Sequence, residues 1–103
     1  MTPAEHAFDD LADSLVPQGA SRAKMMGRPM LSLGGKMFAC LNAGMLGLKL
    51  GAGTESHTAA LAVPGAVLFS PGKDRVFKDW VSLPVEQEHE WERFAVEAME
   101  KLS

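Results

Sequence analysis

Three histidines and one cysteine are the residues of this sequence that could hold a metal ion or attack a substrate. His6, His57 and His89 lie far apart, without a His-x-x-x-His pair or a second cysteine beside Cys40. A metal site needs three or four converging ligands, and a cysteine nucleophile needs a neighbouring base. The pattern favours histidines at the surface or at helix ends and a packed, unreactive thiol. The sequence therefore predicts no metal, no cofactor and no catalytic residues, in a protein that is not an enzyme.

Two glycine-rich segments could bind an anion through backbone N–H groups. The first, Gly34-Gly35, joins two predicted strands and opens no helix. The second, Gly51-Ala52-Gly53, precedes a short predicted helix that Thr54 can cap, and an anion could bind at such a helix start. Neither the Walker motif nor the dinucleotide-binding fingerprint is present. We interpret both segments mainly as turns and keep Gly51, Gly53 and Thr54 as a candidate anion site.

The charged residues are distributed unevenly along the chain. The net charge of −3 argues against general affinity for nucleic acid, because phosphate binding depends on Lys and Arg. Residues 18–54 nevertheless contain five bases and no acid: Arg22, Lys24, Arg28, Lys36 and Lys49. If the strands of this segment pair, these bases could cluster and bind nucleic acid. The alternative is a solvated outer face.

The same segment is rich in methionine and contains Phe38. Strict alternation cannot bury all of these side chains on one face of a sheet, so some apolar surface should be exposed on the other face. Exposed apolar patches often mark partner sites, although incidental exposure would look the same. The candidate interaction surface consists of Arg22, Lys24, Met26, Arg28, Lys36, Phe38 and Lys49.

Helices are predicted at both ends of the chain. Thr2 and Glu5 have the spacing of a capping box, and Phe8, Leu11 and Leu15 lie on one helical stripe. A second stripe begins at Trp91, with acidic residues crowding the predicted first turns. The predicted strands between the helices are Arg22–Met25, Met30–Leu33, Lys36–Leu41, Met45–Leu50, Ala66–Phe69 and Val76–Leu83. We expect short turns at 34–35, 42–44 and 70–73, and such turns join antiparallel neighbours.

The fold class that follows is α+β. We expect a two-layer sandwich in which an antiparallel sheet of about five to six strands carries the N- and C-terminal helices on one face. The other face of the sheet should be open. A chain of 103 residues, 47% of them apolar, fits one domain over residues 1–103.

Location and membrane contact follow from simple counts. The first thirteen residues carry four acids and no apolar block, so we expect no signal peptide. The chain has no apolar run near the ~20 residues that cross a bilayer, so we expect no membrane contact. One cysteine cannot form an internal disulfide. The prediction is a cytoplasmic protein.

Four blocks of the sequence, residues 22–29, 35–39, 46–50 and 79–84, carry a family resemblance. The first three are similar to the Arg-Met-Phe-Gly, Gly-Lys-Met-Phe-Ala and Leu-x-Leu-Lys motifs of TfoX N-terminal-like domains. The fourth, residues 79–84 with the helix that follows, is similar to the end of the related MmcQ/YjbR proteins. The resemblance implies a two-layer α+β fold and a bacterial cytosolic protein without enzyme activity. TfoX proteins are associated with regulating competence, and YjbR-like proteins are often labelled DNA-binding.

The leading functional hypothesis is a non-catalytic bacterial regulatory or interaction module that acts through protein–protein contacts or self-association. The alternative is a nucleic-acid-binding protein that uses the basic residues of the sheet segment. A third hypothesis is an anion or small-molecule binder near residues 51–54.

Overall fold

A computed structural model of the chain describes residues 2–25, 27–72 and 74–102. Within these residues the chain forms three α-helices, six strands and two short 3₁₀ segments. In chain order, they are α1 (Pro3–Leu15), a 3₁₀ turn (Val16–Gln18), β1 (Ser21–Met25), β2 (Arg28–Leu33), β3 (Lys36–Asn42), β4 (Met45–Lys49), α2 (Glu55–Leu61), β5 (Val67–Gly72), β6 (Arg75–Pro84), a second 3₁₀ segment (Val85–Glu90) and α3 (Trp91–Glu100).

The six strands form one antiparallel sheet in the order β1-β2-β3-β4-β6-β5. Helices α1 and α3 both contact β3 and β4 as well as each other, and α2 contacts β6 and α3. The terminal helices therefore cover one face of the sheet. The predicted two-layer α+β fold is confirmed.

Helix α1 begins at the predicted capping box. The backbone N–H of Glu5 donates to Thr2 Oγ1 at 3.1 Å, and the backbone N–H of Thr2 donates to Glu5 Oε1 at 3.0 Å. These hydrogen bonds from Thr2 lower the pKa of the Glu5 carboxyl below its usual range. Pro3 occupies the first turn, where its missing N–H has no intrahelical partner to lose. The helix then buries the predicted stripe of Phe8, Leu11 and Leu15.

Two-residue turns set the register of the middle strands. Gly34 and Gly35 have φ values of 59° and 81°, and Ala43 and Gly44 have values of 54° and 76°. Positive φ at both central residues is typical of the type I′ turn, whose twist matches that of the paired strands. The predicted turns at 34–35 and 42–44 are therefore confirmed. In β4, the predicted alternation is also confirmed, because Leu46 and Leu48 are fully buried beneath the helices.

A β-bulge at Phe38 changes which face of the sheet this residue occupies. Leu31 pairs with Ala39, but the next residue of β2, Ser32, pairs with Met37, so that Phe38 is the extra residue of β3. Phe38 and Ala39 consequently both pack into the core beneath the helices, and both are fully buried. The prediction that Phe38 belongs to an exposed interaction surface is wrong, because strict alternation does not hold across the bulge.

Two predicted boundaries in the second half of the chain are also wrong. The turn expected at 70–73 is displaced, since β5 continues through Gly72 in a strand with register shifts on both sides of Phe69. Lys73 lies outside the described residues. The acids expected in the first turns of the last helix lie mainly in the preceding 3₁₀ segment, where Gln87 departs from helical geometry, and α3 begins only at Trp91.

Candidate functional site

The face of the sheet opposite the helices carries a second, smaller apolar cluster. Its buried members are Met30, Cys40, Phe69 and Trp80. Met30 and Cys40 lie directly opposite each other in the β2–β3 register, and residues so paired share a face. Met37 and Phe77 pack against this cluster and are half-buried. We call these six residues the second-face cluster.

The β5–β6 hairpin covers the centre of this face. The Phe69 ring lies against Gly47 of β4, so that a Cβ atom added to Gly47 would stand 2.5 Å from Phe69 Cδ1. The Phe69 ring centroid is 5.7 Å from that of Phe77 and 5.5 Å from that of Trp80. The expectation of an open second face is therefore correct only away from this centre.

Beside the covered centre lies a groove of about 220 Å³. Its buried lining residues include Met30, Cys40 and Phe69 of the second-face cluster. Met25 at the end of β1 also lines it, and this residue is 58% exposed. The groove is thus an apolar depression with an accessible methionine at its edge.

Two arginines complete the lining of the groove. Arg28 is the first residue of β2 and Arg75 the first residue of β6, and both are exposed. The Arg75 guanidinium carbon lies 5.7 Å from the centroid of the Phe77 ring. Within the part of the chain that the structure describes, neither arginine forms an ion pair. The groove therefore combines an apolar lining with two uncompensated positive charges.

Cys40 lies within the groove lining as a buried free thiol. Burial raises the pKa of the Cys40 thiol above its usual range, and the positive charge of Arg28 opposes this effect only in part. A raised pKa disfavours the thiolate, which is the reactive form of cysteine. The predicted packing of Cys40 is confirmed.

The predicted basic residues do not form one surface. Arg22 lies on the helix-covered side, where Arg22 Nη2 is 2.6 Å from Asp9 Oδ1. With Lys24 it lines a cavity of about 420 Å³ that Asp9 and Glu5 also line. Arg28 lines the groove on the opposite face of the sheet.

The other members of the predicted surface are also scattered. Lys36 opens β3 opposite Leu33, beside the 34–35 turn, and Lys49 is exposed opposite Trp80 of β6. Met26 lies outside the described residues. The five bases therefore do not form the cluster that strand pairing could have produced, because Arg22 and Lys24 line one cavity and Arg28 lines the groove on the opposite face.

Internal partners occupy the backbone N–H groups of Gly51, Ala52 and Thr54 in the candidate anion site, whereas Gly53 lies between them at the turn. The N–H of Ala52 donates to Asp79 Oδ1 at 2.9 Å, and the N–H of Gly51 donates to the Asp79 carbonyl oxygen at 2.9 Å. Thr54 caps α2 by accepting a hydrogen bond from the N–H of His57 at 3.2 Å. An external anion would have to displace the Asp79 carboxylate, so this segment is better described as the attachment of α2 to β6.

His57 strengthens the same attachment. Its Nε2 atom lies 2.7 Å from the carbonyl oxygen of Lys78, and because a carbonyl only accepts, Nε2 must carry the proton. His57 stands near the start of α2 but is buried. His57 therefore lies at a helix end, one of the two predicted positions, and not at the surface.

Replacing His57 by alanine should lower the free energy of unfolding by about 1–3 kcal/mol, because a buried hydrogen bond and its packing are lost together. His89→Ala is the matched control, since the His89 side chain is 68% exposed and its nearest carboxylate oxygen is 4.0 Å away. We expect that control to change stability by less than about 0.5 kcal/mol. Urea unfolding followed by circular dichroism measures both values, and equal losses would contradict the proposed attachment.

Several residues of the groove were missed by sequence reasoning. Arg75, Phe69 and Phe77 come from the β5–β6 hairpin, which the sequence places far from the methionine-rich segment. The register shifts around Phe69 also mean that period-2 alternation cannot assign these side chains to a face. The aromatic content of the hairpin was the available indication.

Residues 2–25, 27–72 and 74–102 contain neither a metal-ligand cluster nor a membrane-spanning helix. No three His, Cys, Asp or Glu side chains in these ranges stand together as a metal site requires. Every helix formed by these residues is too short or too polar to span a bilayer.

Comparison of the chain with protein-family models, with curated proteins and with solved structures finds no match. The resemblance to TfoX N-terminal-like domains therefore stays a prediction that depends on the sequence blocks quoted above.

Proposed function

We propose that the protein is a non-catalytic interaction module that binds a partner protein through the groove on the second sheet face. The observation that carries this proposal is an apolar groove whose edge residue, Met25, remains 58% exposed. The TfoX-like sequence blocks support a bacterial regulatory role of TfoX N-terminal type for this module.

The size of the groove indicates what occupies it. A volume of about 220 Å³ equals roughly seven water molecules at about 30 Å³ each. Pockets for drug-sized ligands are typically larger, about 300–1,000 Å³. The groove therefore suits one large apolar side chain, of the kind that anchors protein interfaces by filling a pocket on the partner. Methionines at its border suit this role because their flexible side chains adapt to the inserted group.

The chemistry of the lining supports binding rather than catalysis. Cys40 is the lining residue that could act as a nucleophile, and it is buried with a raised thiol pKa. The remaining lining is apolar except for Arg28 and Arg75, whose guanidinium groups have hydrogen-bond donors and no acceptor.

Selection from a random peptide library displayed on phage tests the proposal. Peptides selected by the wild-type protein should share a large apolar residue. These peptides should bind Met25→Gln about tenfold more weakly, because losing the contact between Met25 and that anchor residue should cost more than about 1 kcal/mol of binding free energy. Leu61→Gln is the matched control. Leu61 is 38% exposed on α2, outside the groove lining, and its replacement should leave binding unchanged.

Selected peptides that bind Met25→Gln and wild type equally would contradict the use of this groove. Sedimentation velocity distinguishes two possible occupants of the groove, a different protein and a second copy of this chain. A concentration-dependent dimer that Met25→Gln abolishes would identify a second copy as the occupant, in place of another protein.

A further inference from the structure

We infer that the groove selects a partner segment in which a carboxylate flanks the apolar anchor, with Arg28 and Arg75 as the groups that recognise the acid. This inference depends on the proposed function, since it names the chemistry of the segment that the groove accepts.

The pairing of the four arginines distinguishes the groove from the rest of the molecule. Arg22 Nη2 lies 2.6 Å from Asp9 Oδ1, and Arg93 Nη1 lies 3.0 Å from Glu90 Oε2. The other two arginines of the sequence, Arg28 and Arg75, both line the groove, and among the described residues neither has a carboxylate within 4 Å. Among the described residues, the two arginines outside the groove are thus paired with a carboxylate, and the two that line it are not.

The lining of the groove contains no acid. Asp74 precedes Arg75 in the chain but is not part of the lining, so a carboxylate that enters the groove meets positive charge and apolar side chains. The cavity between α1 and β1 is different, because Glu5 and Asp9 balance Arg22 and Lys24 there. A negatively charged segment should therefore prefer the groove to that cavity.

The guanidinium group explains why the acid should be a carboxylate. Its planar set of N–H donors matches the two oxygens of a carboxylate and can form a bidentate pair. Beside an apolar lining, water competes less effectively for these hydrogen bonds. Arg28 and Arg75 come from separate hairpins, one at the start of β2 and one at the start of β6. A carboxylate between them can therefore accept hydrogen bonds from two elements at once.

A pair of small probes tests, on the whole protein, whether the groove prefers a ligand with a carboxylate. Indole-3-acetate and indole-3-acetamide carry the same aromatic anchor and differ in charge. Titrations followed by two-dimensional ¹H–¹⁵N spectra should show both probes perturbing Met25 and Phe77, with the acetate bound about fivefold more tightly because partly exposed charged hydrogen bonds contribute modestly. Raising the salt concentration from about 0.05 M to about 0.5 M should weaken the acetate and leave the acetamide unchanged.

Variants then assign the preference to the two arginines. Arg28→Gln and Arg75→Gln should each reduce the ratio of the two affinities, and the double variant should bind both probes equally. Arg93→Gln removes the same charge outside the groove and should keep the wild-type ratio. Binding of the acetamide to each variant reports whether its groove is intact.

The outcomes separate the two proposals. Equal, salt-independent binding of both probes by the wild-type groove would overturn the carboxylate inference and leave the interaction module standing. A preference for the acetate that survives in the double variant would also overturn it. If neither probe perturbs the groove, the groove is not a binding site for an aromatic anchor, and the proposed function is overturned together with the inference.

Discussion

Gly47→Ala should lower the free energy of unfolding by about 2 kcal/mol, a large effect for the addition of one methyl group. The new Cβ atom would stand 2.5 Å from Cδ1 and 2.8 Å from Cε1 of Phe69. Real Cβ atoms do not approach ring carbons this closely, so either the ring or the strand must move. Gly47 has no positive φ, and the effect is therefore steric rather than a matter of backbone conformation.

The Phe69 ring has little freedom to give way. It is buried and packs against the rings of Phe77 and Trp80, whose centroids lie 5.7 and 5.5 Å away. Moving it means displacing β5 and the rings of Phe77 and Trp80, because the ring lies over Gly47 of β4. Gly47→Ala should consequently loosen the hairpin as well as lower stability, and amide hydrogen exchange in β5 should accelerate.

A double-mutant cycle with Phe69→Leu tests the contact. Leucine is smaller than phenylalanine at this position, so the two substitutions together should cost less than the sum of their separate effects. Gly72→Ala is the matched control, because Gly72 also lies in a strand without positive φ and its nearest atom, Arg75 Cδ, is 4.0 Å away. Equal losses for Gly47→Ala and Gly72→Ala, or strict additivity in the cycle, would contradict the close packing of the hairpin.

Local patterns predicted the parts of the fold that depend on neighbouring residues. The capping box of Thr2 and Glu5 and the glycine turn at 34–35 each involve a few consecutive residues, and the structure contains both. The apolar stripe of α1 and the alternation that buries Leu46 and Leu48 could also be predicted, since each follows the period of its own element.

Features that depend on distant residues could not be predicted in this way. The bulge at Phe38 breaks period 2 within one strand, and nothing in the surrounding residues marks it. Gly47 has a clear role only when Phe69 is known to lie against it, and the two residues belong to elements separated by α2. Non-local contacts of this kind are set by tertiary packing, which overrides local propensity.

The candidate site shows the same division. Arg28 was part of the predicted surface and lines the groove, whereas Arg75 was not predicted because it belongs to the distant β5–β6 hairpin. Arg22 and Lys24 share a face with each other, as period 2 predicts, but that face is the one that α1 covers. A clustering of charge along the sequence therefore did not become a clustering in space.

Trp91→Ala should lower the free energy of unfolding by about 3–5 kcal/mol, the largest stability effect that we expect. Trp91 is the first residue of α3 and is only 1% exposed in the core between the helices and the sheet. Its Nε1 atom donates to the carbonyl oxygen of Pro84 at 3.2 Å, across the 3₁₀ segment that connects β6 to α3. Removing the indole group leaves a cavity and removes the hydrogen bond to the Pro84 carbonyl oxygen at the same point.

Trp91→Phe separates packing from hydrogen bonding. It keeps an aromatic ring and removes the N–H donor, so its cost should be smaller, about 1–2 kcal/mol. If Trp91→Ala is unfolded without denaturant, as a loss of this size permits in a domain with a stability of about 5–15 kcal/mol, Trp91→Phe still gives a measurable transition. Urea unfolding followed by circular dichroism measures the free energy of unfolding of each variant. A value for Trp91→Phe that equals the wild-type value within experimental error would contradict the role of the indole N–H.

Trp80→Ala is the comparison that tells the two apolar clusters apart. Trp80 is buried in the smaller second-face cluster, so its loss should cost less stability than the loss of Trp91. The same substitution should disturb the groove, because Trp80 supports Phe69 at its lining, and binding of indole-3-acetamide should weaken. Trp91→Phe should leave that binding unchanged. A larger stability loss at Trp80 than at Trp91 would mean that the second face, and not the layer between helices and sheet, holds the main core of this domain.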